Sequence, residues 1–265
     1  MSAASGVLVI GHGTADPVGA GECRQIAAAV AGLLPDAAVE LGFLEVIAPS
    51  IEQAVARLAA RGCRHVVAAP LLLFAAGHAT RDVPEAVAAA AAAHGIEIRQ
   101  AAAFGTVAEI VEASRVRRRQ ALAGRGEIPP GETVLVMVGR GSSDPTALAQ
   151  LRGFAAATLD GDAAFAPVRV EYGFVAAARP SLDDALAAAA DLRRGAVRRI
   201  VVQPHLLFRG HVEDQVADAV AAARARRPDL DWIQVARLGA DPLVAGALVR
   251  RVTEIAAAES LSRHG

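Results

Sequence analysis

Leu8-Val9-Ile10-Gly11-His12-Gly13-Thr14-Ala15-Asp16-Pro17 is an apolar run that ends in a histidine held between two glycines. Val7 to Ile10 has the unbroken aliphatic character of a strand buried on both faces of a parallel sheet. Gly11 and Gly13 let the backbone turn sharply at the strand's carboxyl end. That is the edge at which open α/β sheets bind ligands. A second copy follows at Val134-Leu135-Val136-Met137-Val138-Gly139-Arg140-Gly141-Ser142-Ser143-Asp144-Pro145, with Arg140 in the place of His12. The chain therefore reads as a duplication whose halves have diverged in chemistry.

Outward from the first copy, strand-like and helix-like runs alternate: Val7–Ile10, Glu22–Leu34, Val39–Phe43, Ser50–Arg61, His65–Leu73, Asp82–Ala93, Ile98–Ala102 and Val107–Leu122. Ser50-Ile51-Glu52-Gln53 opens its helix as a capping box. The second half repeats the order from Thr133 to Ala258, and individual segments match: Val39-Glu40-Leu41-Gly42-Phe43 with Val170-Glu171-Tyr172-Gly173-Phe174, and Pro49-Ser50-Ile51 with Pro180-Ser181-Leu182. The expected fold is α/β: two similar domains, each a four-stranded parallel sheet flanked by helices, with a cleft between them. The expected boundaries are 1–124 and 132–265, joined through the Gly/Pro-rich stretch from Gly124 to Gly131. Arg117-Arg118-Arg119 just before it reads as the solvated end of a helix.

With 27 Lys+Arg against 28 Asp+Glu the net charge is −1. No field for nucleic acid or an anionic membrane is implied. Hydrophobic residues make up 54% of the chain, but the excess is largely alanine, and no apolar run has the length of a membrane span. The start of the chain lacks the pattern of a signal peptide, so a cytoplasmic location is expected. Cys23 and Cys63 sit in or beside helix-like runs without a Cys-x-x-Cys pairing, and are expected to be buried, inert thiols.

Three candidate ligands fall at matching strand edges of the first half and at equal separations: His12, Glu45 and His78. Each alone is an ordinary turn or surface residue. Successive βα units, however, bring such positions to one end of a sheet. Two imidazoles and a carboxylate suit a divalent first-row metal such as cobalt, iron, nickel or zinc, with positions left open for a substrate. His65, His94 and His264 lie elsewhere and read as structural.

Gly11-His12-Gly13-Thr14, Phe43-Leu44-Glu45 followed by Pro49-Ser50-Ile51, and Pro70-Leu71-Leu72-Leu73 followed by Gly77-His78 and Asp82-Val83-Pro84 resemble the sirohydrochlorin chelatases of siroheme and cobalamin biosynthesis, in a tandem form that covers nearly the whole chain. The resemblance implies ATP-independent insertion of Co²⁺ or Fe²⁺ into sirohydrochlorin, with no permanently bound cofactor. It puts His12, Glu45 and His78 on the metal-binding and catalytic positions. Insertion requires loss of the two pyrrole protons while the metal sheds water. A neutral imidazole can hold the metal and accept a proton near neutral pH, and a carboxylate can relay protons outward. His12 is favoured as ligand and primary base, with Glu45 and His78 assisting. Gly11, Gly13, Thr14 and Phe74 are expected to line the substrate site.

In the second half His12 becomes Arg140 and Glu45 becomes Ala176, while His211 still matches His78. Arginine has no lone pair to offer, so this half is expected to lack a metal site. Arg140, Arg179, Arg209 and His211 are instead expected to hold the carboxylate rim of the tetrapyrrole, for which arginine forks are suited partners. Because the chain supplies both copies, a monomer is compatible with the activity. Two other readings fit parts of the sequence. One is a carrier that binds metal or tetrapyrrole without turnover. The other is a hydrolase like the histidine phosphatases, which place a histidine beside glycine after a first strand but precede it with an arginine, where this chain has Ile10-Gly11.

Overall fold

The computed structural model describes residues 4–74, 81–191, 193 and 196–262. The first half runs β1 (Ala4–Gly11), α1 (Pro17–Leu33), β2 (Ala38–Phe43), α2 (Ile51–Ala60), β3 (Cys63–Pro70), α3 (Asp82–His94), β4 (Glu97–Gln100) and α4 (Ala108–Leu122). The second half repeats it with β5 (Thr133–Gly139), α5 (Ala147–Leu159), β6 (Arg169–Phe174), α6 (Leu182–Ala189), β7 (Arg199–Pro204), α7 (His211–Arg226), β8 (Asp231–Gln234) and α8 (Pro242–Ser262). The sheets have the orders β2-β1-β3-β4 and β6-β5-β7-β8, and every pairing is parallel. The expected pair of four-stranded parallel sheets is therefore what forms. The strand order reverses beside β1 and beside β5, so His12 and Arg140 follow the strands at the two topological switch points.

Several boundaries move for local reasons. Helix α1 begins at Pro17 rather than Glu22, because Asp16 caps it: the carboxylate accepts from the Val18 and Gly19 N–H groups at 2.8 and 3.0 Å. Pro17 then takes the first turn, where a missing N–H costs nothing. The capping box of α2 forms as expected, with Gln53 N–H to Ser50 Oγ at 3.1 Å and Ser50 N–H to Gln53 Oε1 at 3.0 Å. Strand β3 ends at Pro70, short of the Leu73 expected from hydrophobicity alone, and β7 ends at the matching Pro204.

The chain divides into two compact units. One comprises 1–110 with 239–265, and the other 111–238. In the first, Leu8 and Ile10 of β1 point into the core shared with α2 and α3. Helices α1 and α8 pack against each other, and α8 also meets β3. In the second, Val134, Val136 and Val138 face α6 and α7, and α4 lies against the sheet from the other side: the Gln203 side-chain amide of β7 donates to the Ser114 carbonyl and hydroxyl at 2.8 and 2.7 Å. Each half of the sequence thus supplies the last helix of the other half's unit. The same latch holds both. Arg251 of α8 donates to the Phe104 carbonyl after β4 at 2.7 Å, and Arg117 of α4 donates to the Leu238 carbonyl after β8 at 2.6 Å.

This exchange corrects the reading of Arg117-Arg118-Arg119 as a solvated helix end at Arg118, while Arg119 is exposed as expected. Arg118 is 0% exposed. Its guanidinium donates to Asp162 at 2.6 Å, to the Thr158 carbonyl at 2.9 Å and to Gln203 Oε1 at 3.1 Å, and lies over the Phe165 ring. Burial draws its pKa below the usual arginine value, and the Asp162 carboxylate opposes that shift. Removing one partner of a buried pair strands the other charge, a loss of roughly 3–5 kcal/mol. Asp162→Ala is expected to cost that much in urea unfolding, with Asp162→Asn intermediate; a change below about 1 kcal/mol would show that solvent reaches the guanidinium.

Cys23 and Cys63 are buried and free, as expected. Burial pushes the Cys23 thiol up to about 12, so it carries no thiolate near neutral pH. The His205 ring, which follows β7 where β3 is followed by Leu71, stacks on Phe154 at 3.8 Å. Burial pulls its pKa down to about 3, which keeps it neutral.

Candidate metal centre

The site is built on backbone before side chains. Beyond the last pairing of β1 with β2, the chain leaving β2 stays against the chain leaving β1: Leu44 N–H donates to the Gly11 carbonyl at 3.0 Å and Glu45 N–H to the His12 carbonyl at 3.1 Å. A Cβ on Gly13, whose φ is +102°, would sit 1.9 Å from the Glu45 carbonyl oxygen. Only glycine allows that approach. With the two backbones so close, the side chains meet as well: His12 Nε2 lies 3.2 Å from Glu45 Oε1, with 46% and 58% of the side chains exposed.

That separation suits one metal ion. Two bonds of about 2.1 Å that meet at about 90–109° hold their donor atoms about 3.0–3.4 Å apart. An imidazole nitrogen and a carboxylate oxygen are borderline-hard donors for first-row divalent ions, and their exposure leaves the remaining coordination positions open. The third expected ligand, His78, lies outside the described residues. Among the described residues no group of three or more His, Cys, Asp and Glu side chains converges as a metal cage.

The turn that carries Glu45 is unusual. Ile47 N–H donates to the Glu45 carbonyl at 2.8 Å, and Val46 between them has φ +71°. This is the γ-turn of positive φ, the rare and strained hand, here with a β-branched residue at its centre. Such a conformation costs on the order of 1–3 kcal/mol and persists only where the surroundings fix it. They do so here: Phe43 N–H reaches across the loop to the Pro49 carbonyl at 2.8 Å. Sequence reasoning missed this turn, since nothing in Glu45-Val46-Ile47 signals a positive φ.

The second half reproduces the frame without the donors. Ala176 N–H donates to the Arg140 carbonyl at 2.9 Å, Gly141 has φ +92° with the Ala176 carbonyl against it, and Ala177 takes φ +56° under the Ala178 N–H to Ala176 carbonyl bond. Arg140 is exposed at the His12 position. Arg179, 84% exposed, stands 3.6 Å from Asp184 and lines a concavity of about 320 Å³ formed by its own loop. Arg209 is engaged by Asp214 at 2.6 Å and Glu213 at 3.7 Å, so two carboxylates already offset its charge. His211 is the first residue of α7 and is exposed. Of the remaining expected contacts, Gly11 ends β1, Thr14 accepts from Asp16 N–H at 3.1 Å, and Phe74 is half-buried.

Two tandem open sheets, one with an exposed imidazole–carboxylate pair at its switch point and the other with the same frame but neither member of that pair, define a duplicated chelatase-type protein. The chain belongs to the CbiX family, whose sequence profile matches residues 6–121 and again 134–255. It is 27% identical over 253 residues to a sirohydrochlorin ferrochelatase of Bacillus subtilis, across 95% of this chain and 92% of that relative. It is 26% identical over 255 residues to a sirohydrochlorin cobaltochelatase of Priestia megaterium, across 94% and 79%. Among solved structures, SirB from Bacillus subtilis with Fe³⁺ matches with a TM-score of 0.81 and 26% identity over 97% of each chain.

Proposed function

We propose that this chain inserts Co²⁺ or Fe²⁺ into sirohydrochlorin without ATP, and that the first unit carries the chemistry. The observation that supports this most directly is the 3.2 Å approach of His12 Nε2 to Glu45 Oε1 at an open sheet edge. In the reaction proposed, the pair holds the incoming ion weakly enough to release it. His12, with His78 as a further ligand, gives up the metal as the pyrrole nitrogens take it. The two pyrrole protons leave through His12, with Glu45 relaying them to solvent. Two donors in solvent reach form an open site, unlike the closed four-ligand cage of structural zinc. Neither donor type separates cobalt from iron, because both ions accept imidazole and carboxylate. No helix among the described residues is long and apolar enough to cross a membrane. A monomer would suffice.

The test is anaerobic insertion with Co²⁺ and Fe²⁺ in parallel, followed by the change in the tetrapyrrole absorption spectrum with substrate in excess. Conversion of many equivalents per chain supports the reading, and a spectrum that stops changing at one equivalent marks a carrier.

In the same reading, the second unit holds the carboxylate rim of the macrocycle through Arg140 and Arg179. Arg209, already paired with acids, contributes less. Arg140→Ala is expected to raise KM for sirohydrochlorin about fivefold to tenfold at nearly unchanged kcat, because an exposed charge-assisted contact made equally to ground and transition states acts on binding alone. An unchanged KM removes Arg140 from the substrate site.

A further inference from the structure

We propose that the Val46 side chain is an apolar contact for the face of the tetrapyrrole substrate, a specificity-determining residue next to the metal-holding pair. The inference rests on the chelatase reading.

Val46 occupies the centre of the γ-turn, where φ is +71°. A valine is poorly suited to that region and a glycine is at ease in it. The usual compensation, burial of the isopropyl group, is absent: Val46 is 64% exposed. The fold therefore gains nothing from this side chain that glycine would not give with less strain. What an exposed isopropyl group can do at this place is meet something outside the chain.

The position says what that is. Glu45 carries the carboxylate that meets His12, so Val46 is one residue from a metal donor, about 3.8 Å along the backbone. An ion passes into a macrocycle through its face, at the centre of the ring. A residue this close to the donor then lies under the ring, whose face is apolar, and not at the rim, where the carboxylates are. The second half makes the comparison. It builds the same turn with Ala177 at the centre, and Ala176 there replaces the carboxylate. The larger apolar group occurs only where the metal donors do.

The experiment separates three quantities in the full chain. Metal-free sirohydrochlorin is titrated anaerobically into wild type, Val46→Gly and Val46→Leu. Co²⁺ affinity is measured for each without tetrapyrrole, and thermal stability for each without either. Full burial of a valine side chain corresponds to about tenfold to hundredfold in affinity. For Val46→Gly the expected result is sirohydrochlorin binding weakened about tenfold, Co²⁺ binding within about twofold of wild type, and a Tm equal to or above it. Val46→Leu keeps an apolar side chain and is expected to stay within about threefold of wild type for sirohydrochlorin. The proposal is overturned if Val46→Gly binds sirohydrochlorin as tightly as wild type, or if Val46→Leu loses as much as Val46→Gly. The chelatase reading fails separately: wild type would then bind metal and tetrapyrrole without turnover, an outcome these binding titrations do not depend on.

Discussion

His12→Ala is expected to lower kcat for metal insertion by about a thousandfold, with both Co²⁺ and Fe²⁺, while the protein keeps its stability and its affinity for metal-free sirohydrochlorin. Proton transfer by a positioned side chain contributes typically about 10²–10⁴-fold, and His12 serves twice, as proton acceptor and as metal donor. The side chain is 46% exposed, so its truncation leaves no cavity and strands no buried group, and the Tm is expected to move by no more than a degree or two. Glu45→Gln keeps a neutral acceptor near the metal but loses the charge and the proton relay; a smaller fall, about tenfold to a hundredfold, is expected. The measurement is initial rate under anaerobic conditions, with tetrapyrrole and metal affinities determined separately. Wild-type activity in His12→Ala would remove the imidazole from the reaction. Loss of activity together with loss of fold would assign it a structural role that its exposure argues against.

Much of this architecture is legible in the sequence because it depends on short-range rules. Val7 to Ile10 is too uniformly apolar to be anything but a strand covered on both faces, and its second copy at Val134 to Val138 repeats the instruction. Ser50 and Gln53 specify their helix start locally. The His12–Glu45 encounter begins from strand order, since neighbouring parallel strands present their carboxyl ends together, and is completed by the close approach that Gly13 allows. What the sequence hides depends on partners far along the chain. Arg118 looks solvated in a basic triplet, yet Ile110, Ser114 and Arg118 share one helical stripe, and that stripe is buried. Two polar residues in that stripe, Ser114 and Arg118, are the available sign of polar partners against α4, which are Gln203 and Asp162. The start of α1 is of the opposite kind: the Asp16-Pro17 cap is a local signal, present in the sequence five residues before the expected start at Glu22. The turn at Val46 has no sequence signal, because the bonds that impose its positive φ come from the backbone around it.

Deletion of residues 239–265 should abolish insertion, although every candidate metal ligand lies upstream of residue 80. Helix α8 contributes Val244, Ala245, Ala247, Leu248 and Val252, all nearly fully buried, to the first unit. Full burial of a valine or leucine side chain is worth about 1.5–3 kcal/mol, so Val244, Leu248 and Val252 alone account for roughly 5–9 kcal/mol. That is comparable to the whole stability of a typical domain, about 5–15 kcal/mol. Helix α1, which packs against α8, would also lose that cover. In the truncated chain, amide hydrogen exchange is expected to show protection lost across β1–β4 and kept across β5–β8, because the second unit, 111–238, is left whole. The division at residues 124 and 132 that the repeat suggests makes the reverse prediction: a first domain untouched by the deletion, with its exchange protection and its activity intact. Arg251→Ala, which removes the latch to the Phe104 carbonyl together with the ion pair to Glu254, would lie between the two, a loss of about 1–2 kcal/mol. An active protein ending at Leu238 would mean that the first unit does not need α8, and that the exchange of terminal helices has no energetic consequence.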